Sequence, residues 1–119
     1  MFMSSFIFEK NEYDDEFYAL DKKIEDYATS LPGFIGMESY HDVAGGRYIN
    51  NYYWETREAM ENLITNLDHK KAKESKKPWI AGYQTVIAEI IGAHNKNLVH
   101  PLSPYHIAYE IKSKNDIEH

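Results

Sequence analysis

Phe34-Ile35-Gly36-Met37-Glu38-Ser39-Tyr40-His41-Asp42, the tetrad Val43-Ala44-Gly45-Gly46, and then Arg47-Tyr48-Ile49-Asn50-Asn51-Tyr52-Tyr53-Trp54 form two aromatic and β-branched runs separated by a glycine pair. This pattern predicts an antiparallel hairpin with strands over 34–42 and 47–54. Neither strand alternates cleanly between apolar and polar residues. Strand periodicity places Tyr48, Asn50, Tyr52 and Trp54 on one face and Ile49, Asn51 and Tyr53 on the other. In the preceding strand it separates Phe34, Gly36, Glu38 and Tyr40 from Ile35, Met37, Ser39 and His41. Large side chains on both faces imply that both are covered. One layer of helices covers only one face, so the second cover is either more of this chain or another copy of it.

Working outward, the hairpin is flanked by helical patterns. Phe17, Leu20, Ile24, Tyr27, Ala28 and Leu31 recur at helical spacing and predict a helix over 11–30, closed by Pro32-Gly33. Thr56 is an N-cap candidate, and Ala59, Met60, Leu63, Ile64 and Leu67 form the stripe of a second helix. Asp68 is expected to cap a short continuation that Pro78 stops at Lys77. Phe6-Ile7-Phe8 and the long run from Trp79 to Ile91 read as the outer strands. The order β-α-β-β-α-β is a ferredoxin-like split βαβ, an α+β sandwich over residues 1–93. The sheet face left by the helices should be the aromatic one, too apolar to stay in water, and pairing two copies sheet to sheet would bury it. Residues 94–119 read as a solvated tail with an accessory strand at His106–Ile111, able to pair with its own sheet or a partner's.

The composition fits this reading. The chain has 119 residues and 13.9 kDa, is 43% hydrophobic and 27% charged, and so suits one folded domain. It has no cysteine, which excludes disulfides, thiolate-bound metals and thiol nucleophiles. A net charge of −6 argues against nucleic-acid partners. No apolar stretch is long enough for a membrane span, no secretory signal is visible, and a cytoplasmic location is expected. Ten of the seventeen aromatic residues are tyrosines, each a large apolar body with a polar tip suited to partly wet cavities and interfaces.

Leu31-Pro32-Gly33-Phe34-Ile35-Gly36-Met37-Glu38-Ser39, Tyr52-Tyr53-Trp54-Glu55-Thr56, Glu58-Ala59-Met60, His69-Lys70-Lys71-Ala72 and Trp79-Ile80-Ala81-Gly82-Tyr83 follow one another at set spacings. This ordered set, over about residues 6–92, resembles the antibiotic biosynthesis monooxygenase domain. The resemblance implies a dimeric α+β barrel, two ferredoxin-like subunits with their sheets face to face, each with a pocket between sheet and helices. Its activities are mixed. Some members are cofactor-independent monooxygenases of phenols or anthrones, and others are quinol monooxygenases, haem-degrading enzymes or proteins without known activity.

Asn50 and Trp54, four apart on one strand, point to the same face. Members that oxidise aromatics use an Asn and a Trp at this spacing, where the Asn holds the oxygen-bearing group of a substrate anion that reacts with O2. The resemblance also places a helix-borne His at His69, a candidate general base. Tyr40, Tyr52 and Tyr83, with Tyr48 and Tyr53, are candidates to line a pocket for a flat aromatic ligand. Each assignment has a plainer alternative: Trp54 in the core, Asn50 an ordinary strand residue, His69 bonded to backbone or Asp68, and the tyrosines at a dimer interface. Glu38 and Glu89 read as mid-strand residues facing water or a basic partner. Buried, either would be a proton acceptor with a raised pKa.

His94, His100 and His106 are spaced by six, wider than metal sites on one element use, and no metal site is expected. Haem-degrading members carry a second Trp where this chain has Leu63, which weighs against haem. The expectation is therefore a homodimer that needs no cofactor and oxidises a small electron-rich aromatic or quinol with O2. Its rivals are a non-catalytic binding or stress-response protein of the same fold and a haem-binding relative. Trp54→Ala and His69→Ala chains are expected to fold but to lose ligand binding.

Overall fold

A computed structural model describes residues 1–10, 15–74 and 80–109. The elements run β1 (Phe2–Lys10), α1 (Asp15–Ser30), β2 (Phe34–Asp42), β3 (Arg47–Trp54), α2 (Arg57–Glu74) and β4 (Ile80–Glu89). The four strands form one antiparallel sheet in the order β2-β3-β1-β4. Helix α1 packs against β2, and α2 against β1 and β3, so both helices lie on the same side. This is the ferredoxin-like α+β arrangement that the element order predicts.

Local chemistry sets the boundaries. Gly33, at φ +86°, turns the chain from α1 into β2, and a Cβ there would sit 3.0 Å from the Ala59 Cβ. Only glycine provides both the left-handed backbone and the close approach of α2. The Ala59 N–H donates to Thr56 Oγ1 at 3.2 Å, so Thr56 caps α2 as expected. The predicted break at Asp68 is absent and α2 runs unbroken to Glu74, because an aspartate inside a helix need not interrupt the backbone ladder when the turns on both sides continue.

Strand β1 is longer than its apolar run because it lies between β3 and β4, where partners on both sides satisfy its backbone. Ser4 and Ser5 are buried there, and Ser4 Oγ accepts the Trp54 indole N–H at 3.1 Å. A register shift between Phe34 and Gly36 pairs Phe34 with Trp54 but Gly36 with Tyr53. This bulge moves Phe34 onto the same face as Met37, Ser39 and His41, a correction to strict alternation.

The core lies between the helices and one end of the sheet: Ala28, Tyr52, Trp54, Ala59, Met60 and Leu63, with Phe2, Tyr27, Leu31, Phe34, Met37 and Ile64 packed against it. The side of the sheet holding Tyr48, Tyr52 and Trp54 therefore faces the helices. The expectation that the aromatic side is the one left open is overturned. Tyr52 and Trp54 bury their large apolar bodies against Ala28, Ala59, Met60 and Leu63 of the two helices.

The opposite, outer face is crossed by the chain's own extension. After β4 the chain pairs Ala93 with Ile107 in one antiparallel bridge, and the loop between them reaches β2. Pro101 lies against Gly36, where a Cβ would come within 2.8 Å of the proline Cβ, and Leu102 is buried. The solvated-tail expectation is thus corrected for His100, Pro101 and Leu102, which lie on the sheet, while residues 94–99 and His106 are exposed. The accessory strand is reduced to that single bridge, and residues 110–119 lie outside those described.

Candidate functional site

The registers arrange the helix-facing side of the sheet in four transverse rows. Glu89, Phe2, Trp54 and Phe34 form the row nearest the β3–α2 junction, followed by Ile87, Ser4, Tyr52 and Met37. Thr85, Phe6, Asn50 and Ser39 form the third. Tyr83, Phe8, Tyr48 and His41 form the last, next to the β2–β3 turn. The first two rows meet the helices over their central strands. The last two are only partly covered: Phe8 is buried, Asn50 and Tyr48 are half-buried, and Ser39, His41 and Tyr83 are exposed.

The fourth row is a stack. His41 and Tyr48 lie 4.0 Å apart at 6°, and Tyr48 and Phe8 5.3 Å apart at 13°. Phe6 joins Phe8 at 5.1 Å and Tyr83 at 5.5 Å. Across four strands this makes a continuous aromatic platform, its rings facing one another from His41 to Phe8 and tilted by 30° and 37° where Phe6 meets Phe8 and Tyr83, so that it offers a ligand its ring edges. The third row lies beside it and, apart from Phe6, is polar. Ser39 Oγ donates to Asn50 Oδ1 at 2.8 Å, which orients the amide and leaves its NH2 group as the donor.

The residues nominated from sequence divide clearly. Asn50 is half-buried between platform and core, on the helix-facing side. Trp54 shares its face but is two rows away, 0% exposed, edge-on to Phe34 at 5.3 Å, with its N–H bonded to Ser4. It fills the core. Tyr52 is buried in that same core. Tyr83 belongs to the platform, and 64% of it is exposed. Tyr40 is paired with Ile49 on the outer face and cannot line one pocket with Tyr52 and Tyr83. His69 falls in α2, and its side chain lies outside those described, as does Trp79. Leu63 is buried in the core.

Sequence reasoning missed Ser39, His41, Phe6, Phe8 and Thr85. The signal was available in the alternation of β2, but only the bulge at Phe34–Gly36 decides which alternate residues join Asn50.

The outer face carries a second polar cluster. Glu38 Oε1 accepts the Tyr53 hydroxyl at 2.8 Å and lies 2.9 Å from His100 Nε2; Glu38 Oε2 accepts the Tyr40 hydroxyl. The Leu102 N–H donates to His100 Nδ1 at 3.0 Å, so the ring hydrogen is on Nε2 and points at Glu38. Burial pushes the Glu38 carboxyl up, but the hydrogen bonds from Tyr40 and Tyr53 and the nearby His100 outweigh it and hold Glu38 below its ordinary value. Burial first, and then the bond to Glu38, raise the Tyr53 phenol. Glu38 is thus partnered by two phenols and an imidazole and not by a Lys or Arg. It anchors the extension to the sheet.

No family model matches the sequence. The chain is similar to the uncharacterized protein YqjZ of Bacillus subtilis, 29% identical over 82 residues, which is 68% of this chain and 71% of that protein. Among solved structures it resembles a variant of SnoaB, a cofactor-independent oxygenase from Streptomyces nogalater, with 12% identity, a TM-score of 0.62, and 80% of this chain and 97% of that one covered. It also resembles MhuD with two manganese protoporphyrin IX molecules per active site, at 20% identity and a TM-score of 0.57, covering 81% and 100%. Other structures of this fold include antibiotic biosynthesis monooxygenases. The chain has the fold of those proteins, as its sequence resemblance implies.

Proposed function

We propose that this chain is a cofactor-independent monooxygenase that acts on a small electron-rich aromatic or quinol, and that it works as a homodimer through the outer sheet face. The observation that supports this reading is the half-open corner around Asn50: an oriented amide donor beside a platform of packed aromatic rings, within the fold shared with SnoaB. A flat phenol or anthrone packs against the edge of this aromatic platform, and its oxygen accepts the Asn50 NH2.

Deprotonation makes the substrate an electron-rich anion, and the Asn50 donor stabilises the charge that develops on its oxygen. The anion reduces O2. One oxygen atom replaces two hydrogens at the reacting carbon as a carbonyl, and the other leaves as water. The substrate supplies all the electrons, so the atoms balance without an external reductant. The proton acceptor is an imidazole, and two are candidates: His69, from the resemblance, and His41, which stands one row from Asn50.

Oxygen uptake with anthrones and quinols tests the proposal. Turnover that is lost in Asn50→Ala and retained in Tyr40→Phe supports it. Absence of uptake with every electron-rich aromatic overturns it in favour of a non-catalytic binding protein of the same fold. A Soret shift on adding haemin, without oxygen uptake on aromatics, overturns it in favour of the haem relative.

A further inference from the structure

His94 and His106 are far apart in sequence but share one site. The Ala93 N–H donates to the Ile107 carbonyl at 2.9 Å, and the Ile107 N–H donates to the Ala93 carbonyl at 3.1 Å. This is a hydrogen-bonded antiparallel pair, so the next pair along, His94 opposite His106, is the non-bonded type in which side chains stand closest. Their rings lie 5.8 Å apart, centre to centre, at 74°. Both residues are exposed, and no described residue hydrogen-bonds to either ring. They border an open cleft whose lining includes Ile91, Gly92, Ala93, Ile107 and Tyr109.

We infer that His94 and His106 form a two-imidazole chelate for a late first-row divalent metal ion, Cu2+, Ni2+ or Zn2+. The separation of the two rings is close to what such an ion requires. An imidazole nitrogen binds at about 2.0–2.1 Å, which puts each ring centre roughly 3.2 Å from the metal and two rings at a tetrahedral angle about 5.2 Å apart. A small change in χ angles closes the remaining gap. Exposure lets the rings make that change, and leaves the other coordination positions to water. The donors select the metal: two neutral nitrogens favour Cu2+, Ni2+ and Zn2+ over the oxygen-seeking Mg2+ and Ca2+. Among the described residues no third His, Asp or Glu joins them.

The other described histidines are committed elsewhere. Both nitrogens of His100 are engaged, and His41 is stacked on Tyr48. The pair also closes the loop that carries His100 and Leu102 onto the sheet. A bound ion therefore staples the base of the extension and slows the opening of residues 95–105.

The test uses the full chain without an affinity tag. Calorimetric titration with Cu2+, Ni2+, Zn2+ and Mg2+ should show one Cu2+ bound, Ni2+ and Zn2+ more weakly, and no Mg2+. The Cu2+ resonance spectrum should show two nitrogen ligands. His94→Ala and His106→Ala should each weaken binding about tenfold or more, because even losing a residue that only supports a ligand costs about that much. Zn2+ should protect both residues of the unaltered chain from imidazole acylation, mapped by mass spectrometry. Wild-type affinity in the double variant, or Zn2+ protection falling on other histidines, overturns the assignment.

Discussion

Strand β3 presents Trp54 and Asn50 to the same side of the sheet, yet the two ends of that side differ in kind. At the Trp54 end the rings are packed in: the indole N–H bonds Ser4, Phe34 meets the ring edge-on, and Ala28, Ala59, Met60 and Leu63 close over it. At the Asn50 end the rings stack on each other, the serine and the amide bond each other, and Ser39, His41 and Tyr83 are exposed. Two rows along one strand separate what holds the fold together from what is available to a ligand. A residue's face is therefore a poor guide to its role. Its row decides.

The largest expected effect breaks the packed end. Trp54→Ala removes a fully buried aromatic and leaves Ser4 without its donor, at a cost of about 3–5 kcal/mol. That is a large part of the roughly 5–15 kcal/mol a domain this size has. Thermal or urea unfolding should show a lower midpoint, not the folded, ligand-free chain that sequence reasoning expects. A chain with wild-type stability would move Trp54 out of the core and remove the distinction between the two ends.

Next in size is Asn50→Ala at the open end. A donor to a developing anion is worth about 10²–10³ in kcat. Removal of the half-exposed side chain should change stability by no more than about 1 kcal/mol. Oxygen-uptake kinetics and unfolding of the same sample separate these outcomes. Loss of stability without loss of turnover would reverse the roles of the two ends.

The hairpin, the helix stripes and the Thr56 cap were legible because each depends on neighbours a few residues apart. Asn50 was found from its type and spacing on one strand. Ser39 and His41 were not, because a one-residue bulge at Ile35 decides which β2 residues face Asn50, and no local preference encodes that bulge. The extension was hidden for the same reason. His100 lies 47 residues from Tyr53, and a sequence shows polar residues between prolines without showing that a carboxylate and two phenols await them. The tyrosines misled because their composition suits both faces, and the structure uses them on both: Tyr48, Tyr52 and Tyr83 toward the helices, Tyr40 and Tyr53 outward.

The outer face adds a contrast that depends on pH. Glu38 has a carboxyl lowered by folding. A lowered carboxyl contributes stability that is present above its ordinary value, near 4.5, and lost as pH falls through the lower folded value. Amide exchange at Leu102 and Tyr105, corrected for intrinsic rates, should show the extension loosening on acidification through and below that range. Glu38→Gln should remove most of this dependence. An identical acid response in Glu38→Gln would assign the anchor to Pro101 and Leu102 packing instead. The helix-facing core around Trp54 should keep its protection over the first part of this acidification, because none of its residues is a carboxylate.

The smallest effect concerns Ser39, which orients Asn50 without facing the platform's rings. Ser39→Ala deletes one exposed hydrogen bond, worth about 0.5–1.5 kcal/mol. If that bond serves only the strand pair, unfolding shifts slightly and kinetics stay unchanged. If it aims the amide, kcat falls by up to about tenfold, KM changes little, and the midpoint of unfolding stays within error. Ser39→Thr, which keeps the hydroxyl, should restore the rate. A kcat loss in Ser39→Ala that Ser39→Thr recovers locates orientation of the donor in the third row. Equal turnover in all three chains would mean that Asn50 is held by the substrate itself, and that the open end is organised only when it is filled.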